Sequence, residues 1–453
     1  MLRYNSPLFQ VILLGLVCWA CPGMFNALQG MGGGGQVDHT VVDKANTAVY
    51  ACFAIVGFAS GGICNLLGPK LTLFIGTLGF VLYGGSLLTY NLRGTSAFVI
   101  ASGAILGVCA GLLWTAQGVI MLSYPDAKSK GRYISLFWSI FNIGGVVGGL
   151  IPLFINLNHT TAESISNETY IAFIVLMALG AVLCLTLLPP HKVVRDDDSP
   201  VGDTRLPDWR RELIATLKLV LNKRLLVLVP LCFSSNFYYT YHFNAVNGFY
   251  FNVRTRALNI VIYWTMEIIT ASLFGLVLDA KQFSRRTRGL LGLLTICVAM
   301  LPTWAGAVVF QQTYDRTLEK PAVDWTDPRF AGAFVLYALF GLNDALWQVF
   351  AYWLLGGLSD DPQELSRYTG FYKSIQSAGA AIAWAIDGAG VSYRVQVIVN
   401  FALILAALPG MIMVICTTPA QNTSAAEPSE KCSVEPPRVM NITQHISNGT
   451  ESS

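Results

Sequence analysis

Apolar runs of membrane-spanning length dominate this chain. A transmembrane helix needs about 20 predominantly apolar residues, and such runs recur twelve times along the 453 residues. Hydrophobic residues make up 54% of the chain and charged residues 12%, whereas soluble domains carry about 25% charge. The sequence therefore predicts an all-α membrane protein with twelve transmembrane helices. Their predicted limits are 8–28, 46–67, 71–91, 97–123, 133–155, 169–188, 225–248, 257–278, 289–311, 330–355, 368–388 and 394–416.

A polar insert separates the sixth run from the seventh. It predicts an N-terminal six-helix bundle (1–188), a cytosolic linker (189–224), a C-terminal six-helix bundle (225–416) and a polar, disordered tail (417–453). Within the linker, residues 208–222 place apolar side chains on one helical face and cations on another, the pattern of an amphipathic helix at the membrane interface.

The stretch Gly111–Leu150, two apolar runs joined by a basic hinge, has a copy in the second half of the chain. A membrane hairpin repeated once per half predicts a duplicated, transporter-like architecture. The second copy carries charges that the first lacks: Asp344, Lys373 and the acidic loop Asp360, Asp361 and Glu364. The matching positions are Arg132-Tyr133, Phe137, Ser139-Ile140 and Gly144 in the first copy, and Arg367-Tyr368, Tyr372, Ser374-Ile375 and Gly379 in the second.

The distribution of cations predicts the orientation, because Lys and Arg concentrate in cytosolic loops. With the N-terminus in the cytosol, 21 of the 29 Lys and Arg lie on the cytosolic side and eight on the other. Both termini are therefore predicted to be cytosolic, and we expect the plasma membrane in preference to the vacuolar or other internal membranes. The sequons at Asn158 and Asn167 then face away from the cytosol as glycosylation sites. Glycosylation of the tail sequons (Asn422, Asn441 and Asn448) would contradict an even span count.

Polar side chains inside the predicted spans are candidate substrate- or proton-binding groups, because an unsatisfied amide in hydrocarbon costs several kcal/mol. In span 7, Asn236, Thr240, Asn244 and Asn247 follow three- and four-residue steps, which places them on one helical face. That face either lines a cavity or makes hydrogen bonds between helices without a substrate. The other candidates are Trp114 and Gln117 in span 4, His242 in span 7, Gln348 in span 10, and Lys373 and Gln376 in span 11.

Two carboxyl groups fall inside predicted spans, Glu267 in span 8 and Asp344 in span 10. A charge near the bilayer centre costs about 2.5–3.5 kcal/mol. Each group is therefore expected to be protonated or paired, and a carboxyl that binds and releases a proton suits a proton-coupled carrier. The alternative is a structural salt bridge or a polar cluster. Lys373 is placed either to reach Asp344 or to extend toward the interface.

Other residues have an ordinary structural interpretation. Asp387, at the outer end of span 11, is interpreted as interfacial, and Phe249 and Tyr250 as part of the outer aromatic belt. Cys18 and Cys21 are interpreted as packing residues rather than as a redox pair or metal ligands.

The loops after spans 2 and 8 carry a similar motif of glycines, a polar or acidic residue and cations. The motif positions are Gly61, Asn65, Gly68 and Lys70 in the first loop, and Gly275, Asp279 and Arg285 in the second. This pattern resembles the cytoplasmic loop motif of the major facilitator superfamily, in which the acidic residue and the cations latch the cytosolic face. Asn65 replaces the acidic residue, so the resemblance implies a weaker latch in the N-terminal half.

Longer motifs lie in the repeated stretches: Leu113–Gly118, Gly131-Arg132-Tyr133, Trp347-Gln348 and Gly370–Gly379. With them the region from Pro7 to Cys416 resembles the fungal branch of the Unc-93-like family within that superfamily. The resemblance implies a major facilitator fold, with two six-helix bundles around a cavity lined by spans 1, 4, 7 and 10. Unc-93-type proteins include regulators of channels and proteins involved in receptor trafficking.

We therefore predict a secondary transporter that moves a small molecule or ion by alternating access, with proton coupling through the buried carboxyls. The alternative is a non-transporting regulator or trafficking partner of a channel or other membrane protein. The polar face of span 7 favours transport, and Asn65 favours the alternative. Neither a nucleophile motif nor a His-rich cluster is present, and Gly32–Gly35 is interpreted as a flexible run outside the membrane, not a phosphate-binding loop. No enzyme, cofactor, metal or nucleic-acid partner is predicted.

Overall fold

The structure is a computed structural model that describes residues 3–36, 39–124, 130–157, 164–195, 201, 214, 218–280, 282–359 and 362–417. Twelve helical segments, numbered α1 to α12, correspond to the twelve predicted spans. Ten of them are long and apolar enough to cross a membrane. These ten are α1 (Pro7–Gly30), α2 (Thr40–Leu67), α3 (Pro69–Arg93), α4 (Ser96–Ser123), α5 (Lys130–Ile155), α6 (Asn167–Cys184), α8 (Val253–Leu278), α9 (Arg285–Phe310), α10 (Phe330–Leu355) and α12 (Tyr393–Thr417).

The two remaining segments are unusual in different ways. Helix α11 (Pro362–Gly388) is long but polar, because it carries Lys373 and Gln376 in its middle. Segment α7 is not one helix: it consists of the short helices Lys223–Val227 and Val229–Ser234, followed by the π-helix Tyr241–Gly248. The prediction of a single polar face along span 7 is therefore wrong, since the change of helical pitch turns its polar side chains toward different neighbours.

Helix boundaries follow from local sequence. Ser6 accepts a hydrogen bond from the Phe9 backbone N–H at 3.3 Å and begins α1, with Pro7 in the first helical position. Between α2 and α3, Gly68 adopts φ +79°, a left-handed conformation that favours glycine, and Pro69 then begins α3. The middle of α1 is a π-helical turn, Trp19–Gly23, around Pro22, whose ring cannot fit a regular helix interior.

The two bundles, α1–α6 and α7–α12, pack along α5 against α8 and along α2 against α11. Glycines on α5 make the first contact close. A Cβ on Gly145 would lie 2.6 Å from the Trp264 side chain, and one on Gly149 would lie 2.9 Å from Ile260. Small residues allow such close approach of membrane helices. Gly145 and Gly149 therefore lie against the C-terminal bundle, whereas Gly144 and Gly148 lie against α1 of their own bundle.

Helices α2 and α11 contact at one end and separate at the other. A Cβ on Gly388 would lie 3.2 Å from Asp43, and one on Gly57 would lie 3.2 Å from the Ser374 hydroxyl, whereas one on Gly61 meets no atom within 4 Å. We call the end at Asp43 the outer face, and the opposite end, where α1 begins and α12 ends, the inner face. The bundles are joined at the outer face and diverge toward the inner face, which is predicted to be cytosolic.

Parts of several predictions lie outside the described residues. These include Asn158, Lys128 in the basic hinge, most of the predicted amphipathic helix 208–222, Asp360 and Asp361 of the acidic loop, and the tail beyond residue 417.

Candidate functional site

Asp344 is the centre of a buried polar cluster in the C-terminal bundle. Its side chain is 1% exposed. Its carboxylate accepts hydrogen bonds from the Tyr238 hydroxyl at 2.8 Å, the Tyr263 hydroxyl at 3.0 Å and the Gln348 amide at 2.7 Å. These donors belong to α7, α8 and α10. Asp344 is therefore held by hydrogen bonds and, among the described residues, by no direct ion pair.

Two glutamines connect Asp344 to the buried cation of α11. The Lys373 ammonium donates to Gln376 Oε1 at 2.8 Å, and Gln376 Nε2 lies 3.4 Å from Gln348 Oε1. Gln348 in turn donates to Asp344, and Asn236 Oδ1 accepts from Gln376 Nε2 at 2.8 Å. Lys373 thus takes neither predicted position: it does not pair directly with Asp344 and does not extend to the interface. A chain of amides links the two charges.

Aromatic rings surround the Lys373 ammonium. The ring centres of Trp114, Tyr352 and Tyr372 lie 5.9, 5.7 and 5.4 Å from its nitrogen, within the range of a cation–π attraction. Trp114 belongs to α4 and stacks on Trp138 of α5, with ring centres 6.1 Å apart. The N-terminal bundle therefore contributes an aromatic wall to the cluster. Gln117, one turn further along α4, is half-buried.

Glu267 of α8 lies beside this cluster with one oxygen free. Its Oε2 atom is buried and has no hydrogen-bond partner in the described part of the chain, and the charges that act on it are those of Asp344 and Lys373. A buried carboxyl oxygen without a partner is unfavourable. Glu267 therefore offers an acceptor to a proton or to a solute.

His242 is connected to the same cluster through a tyrosine. Its Nδ1 atom lies 3.3 Å from the Tyr263 hydroxyl, which donates to Asp344. The imidazole stacks on Phe340 with ring centres 4.0 Å apart, and its Nε2 atom is buried without a hydrogen-bond partner in the described structure. His242 is therefore a neighbour of the tyrosine shell around Asp344.

A second cluster at the outer face joins the two bundles through Asn244. Its Nδ2 atom donates to Asp43 of α2 at 2.7 Å and to Asp387 of α11 at 2.8 Å, and its Oδ1 atom accepts from the Gly33 backbone N–H at 2.7 Å. Arg316, from the loop between α9 and α10, forms an ion pair with Asp387. The interpretation of Asp387 as interfacial is wrong: it is 1% exposed because these partners enclose it.

His39 completes this arrangement. Its Nδ1 atom lies 2.7 Å from Asp43 and 3.4 Å from Asp387, and its Nε2 atom lies 3.3 Å from the Tyr393 hydroxyl. Burial lowers the pKa of His39, but the hydrogen bond to Asp43 and the charges of both carboxylates raise it, and the net pKa is above the usual value of 6.5. We call His39, Asp43, Asn244, Arg316 and Asp387 the outer cluster.

The outer cluster holds three groups that resemble a metal-ligand set. The ligand atoms of His39, Asp43 and Asp387 lie within 4.8 Å of one another. The carboxylates already accept hydrogen bonds from side-chain amides: Asp43 from Asn244, and Asp387 from Gln396 at 2.7 Å. The donor set is therefore satisfied by the protein's own side chains.

The glycine run after α1 seals the outer face. Arg256 of α8 donates from Nε to the Met31 carbonyl at 2.6 Å, and Asn247 donates to the Gly30 carbonyl at 2.9 Å. Gly32 has φ +79°, and a Cβ there would lie 2.5 Å from the Phe243 carbonyl oxygen. The interpretation of Gly32–Gly35 as a flexible external run is wrong: all four glycines are buried, Gly32 against the C-terminal bundle and Gly34 and Gly35 against the N-terminal bundle.

Aromatic side chains near the outer end of α7 are buried rather than interfacial. Phe249 and Tyr250 are 5% and 7% exposed and pack against Tyr314, with ring centres 5.9 and 5.0 Å away. The interpretation as an aromatic belt is wrong because the loop after α9 covers them.

The two loop motifs differ at the inner face. In the second copy, the Arg285 guanidinium lies 4.6 Å from the centre of the Trp353 ring and donates to the Trp353 carbonyl at 3.2 Å, which fixes the loop to the end of α10. Asp279 follows the end of α8 and is exposed. Lys70, in the first copy, is half-buried in the first turn of α3.

Asn167, the sequon residue within the described residues, lies at the start of α6. Its side chain accepts a hydrogen bond from Asn91 at 2.8 Å. Glycosylation at this position stays a prediction.

The fold and the enclosed polar clusters define a multi-pass helical membrane protein with the major facilitator, transporter-like architecture. Solved structures with this fold include the xylose transporter XylE from E. coli (TM-score 0.62, 14% identity, covering 91% of this chain and 98% of that one). The nucleoside transporter NupG is also similar (TM-score 0.61, 12% identity, 90% and 100% coverage).

Sequence comparison gives the family. A family model described as "Ion channel regulatory protein UNC-93" matches residues 36–418. UNC93-like protein 1 of Arabidopsis thaliana is 48% identical over 417 residues, 91% of each chain, and a UNC93-like protein of Schizosaccharomyces pombe is 43% identical over 397 residues, 86% of this chain and 79% of that one. The chain belongs to the UNC-93 family, and the predicted resemblance is confirmed.

Proposed function

We propose that this protein is a secondary transporter that moves a small solute by alternating access and couples the movement to protons. The observation that carries the proposal is the chain Asp344–Gln348–Gln376–Lys373, which ends at an ammonium enclosed by aromatic rings of both bundles. A buried charged chain that ends between the two bundles suits binding and release better than packing. We place the protein in the plasma membrane with both termini in the cytosol.

The proposed coupling follows from the charge of the cluster. With Asp344 and Glu267 ionised and Lys373 protonated, the cluster carries one net negative charge. A proton bound to either carboxyl makes it neutral, and burial favours the neutral form. Two glutamine amides connect Asp344 with Lys373. Protonation of a carboxyl therefore weakens the electrostatic attraction that holds the Lys373 ammonium in the cluster. The ammonium then becomes available to a solute.

The walls of the site indicate the chemistry of the solute. Trp114, Trp138 and Tyr352 provide flat apolar surfaces from both bundles, with Trp138 and Tyr352 ring centres 6.5 Å apart. Lys373 supplies a donor and Glu267 an acceptor. These groups favour a small organic solute with a planar part and a hydrogen-bonding or anionic group.

The test is accumulation of solutes by proteoliposomes that contain the purified protein, a pH-sensitive dye and an imposed proton gradient. A mixture of small metabolites is supplied outside, and mass spectrometry identifies what accumulates. We expect gradient-dependent accumulation that Asp344→Asn abolishes and that Glu319→Gln, a change of an exposed acid in an outer loop, leaves intact. Accumulation that survives Asp344→Asn and Glu267→Gln together contradicts proton coupling at this site.

A second function, regulation of a channel or trafficking of another membrane protein, is favoured by the description of the matching family model. It makes no use of the charged chain in the C-terminal bundle. Two results together would favour this second function over transport. A membrane protein would co-purify at fixed stoichiometry, unchanged by Asp344→Asn, and no solute would accumulate.

A further inference from the structure

The outer cluster contains a titratable group shared between the two bundles. His39 and Asp43 belong to the N-terminal bundle, whereas Asn244, Arg316 and Asp387 belong to the C-terminal bundle. The Asn244 amide contacts both carboxylates, and His39 lies within 3.4 Å of Asp387. Nothing in the proposed transport site uses these groups. Because the cluster crosses the boundary between bundles, any opening of the outer face has to break it.

Charge balance makes the cluster sensitive to one proton. Asp43 and Asp387 are fully buried carboxylates, and Arg316 supplies one cation. When His39 is protonated, the four charges cancel. When His39 is neutral, one negative charge remains buried without a counter-ion, which is unfavourable.

The surrounding elements add few other charges. From α12, Tyr393 places its hydroxyl near His39 and Gln396 donates to Asp387. From the loop after α9, Asp315 accepts the backbone N–H groups of Arg316 and Tyr393 at 2.8 and 3.0 Å. From α7, Asn244 faces the cluster as an uncharged amide. His39 is therefore the group whose ordinary pKa lies nearest to neutral pH.

We propose that the outer cluster is a second proton-binding site, which latches the outer face shut when His39 carries a proton. This inference rests on the alternating access of the proposed function. In the closed state His39 faces two carboxylates, whereas after the bundles separate it keeps Asp43, on its own helix, and loses Asp387.

Linkage gives the direction of the effect. A proton binds more tightly to the state in which His39 faces both acids, so acid favours the closed outer face and alkali favours the open one. Burial opposes the charge on His39, but the two carboxylates outweigh it, and the pKa of His39 in the closed state is raised above 6.5. One linked proton changes the ratio of closed to open molecules by at most about tenfold per pH unit.

The test is the distance across the outer face as a function of pH, measured between probes at Thr95 and Leu318 on a cysteine-free background of the full chain in lipid nanodiscs. Both positions are exposed and lie in outer loops of opposite bundles. We expect the open fraction to rise between about pH 5.5 and about pH 8.5, which spans the usual range of histidine titration. In His39→Gln the open fraction should no longer depend on pH.

The matched control is His191→Gln, an exposed histidine in the linker after α6, which should keep the wild-type response. A pH response that persists in His39→Gln overturns the proposal, as does one that EDTA removes, since a metal would then hold the cluster. Asn244→Ala weakens the latch and raises the open fraction. An outer face that stays closed at every pH in this variant contradicts both the latch and alternating access, whereas opening without pH dependence contradicts the latch alone.

Discussion

The two buried polar clusters of this protein contain similar side chains but are attached to the fold differently. The cluster around Asp344 draws its hydrogen-bond donors from the C-terminal bundle, with aromatic contacts from α4 of the other bundle. The outer cluster takes one carboxylate from each bundle, Asp43 and Asp387. When the bundles move apart at the outer face, the first set of hydrogen bonds can persist and the second cannot. The first therefore suits binding, and the second suits control of opening.

The largest effect is expected from loss of the buried cation at the outer face. Arg316→Gln leaves Asp387 beside Asp43 without its counter-ion, and breaking a buried ion pair costs about 3–5 kcal/mol. We expect a corresponding loss of thermal stability in detergent, measured by intrinsic fluorescence. The double variant Arg316→Gln/Asp387→Asn should regain part of it. If the double variant is less stable than the single one, the ion pair does not control the outer cluster.

A smaller loss is expected at Asp344, where neutral donors replace a direct ion pair. Asp344→Ala strands the hydroxyl of Tyr238, and one buried group left without a partner costs about 1–3 kcal/mol. The Tyr263 hydroxyl keeps His242 as a partner, and the Gln348 amide keeps Tyr239. Asp344→Asn keeps one acceptor oxygen and should destabilise less. Both variants should lose proton-coupled accumulation. Equal melting temperatures for the Ala and Asn variants would show that these hydrogen bonds do not stabilise the fold.

The packing surface between the bundles gives the next effect. In Gly145→Ala the new methyl group would meet the Trp264 ring at 2.6 Å, and overpacking costs about 1–3 kcal/mol. Gly118→Ala, on α4 of the same repeated stretch, meets no atom within 4 Å and serves as the control. The midpoint of thermal unfolding should be lower for Gly145→Ala than for Gly118→Ala. Identical behaviour would show that α5 and α8 do not pack as closely as described.

The smallest effect is expected at the inner face. Asn65→Asp restores the acidic residue of the loop motif that contains Lys70, and a pair of charges near the surface contributes about 0–1 kcal/mol. The change should shift the equilibrium slightly toward closure of the inner face, seen as a shorter mean distance between probes at Leu66 and Gln282. A longer mean distance would contradict the proposed role of Asn65 in weakening the latch.

The sequence predicted the fold better than the site. Apolar length alone fixed the helices closely: α4 was predicted at 97–123 and is Ser96–Ser123, and α12 was predicted at 394–416 and is Tyr393–Thr417. The irregular α7 escaped prediction because a π-helix has no simple sequence pattern.

The sequence identified candidate side chains where a single polar residue lies within an apolar run, as Asp344 and Lys373 do. The outer cluster was missed because Asp43 and Asp387 stand at the ends of spans, where a charge usually meets water. The four-residue spacing of His39 and Asp43, one helical turn apart, was the available signal. Their pairing with Asp387, more than 340 residues away in the chain, depends on how the bundles pack, which composition and periodicity do not determine.

Reciprocal movement of the two faces tests the central claim most directly. Distances are measured in lipid nanodiscs for one probe pair across the outer face, Thr95 and Leu318, and another across the inner face, Leu66 and Gln282. Alternating access predicts two populations: the described state, with the outer face closed and the bundles apart at the inner face, and a second state in which both distances change in opposite directions. A single population at both faces, unchanged from acid to alkaline pH and on addition of a metabolite mixture, would contradict transport and leave a static membrane partner.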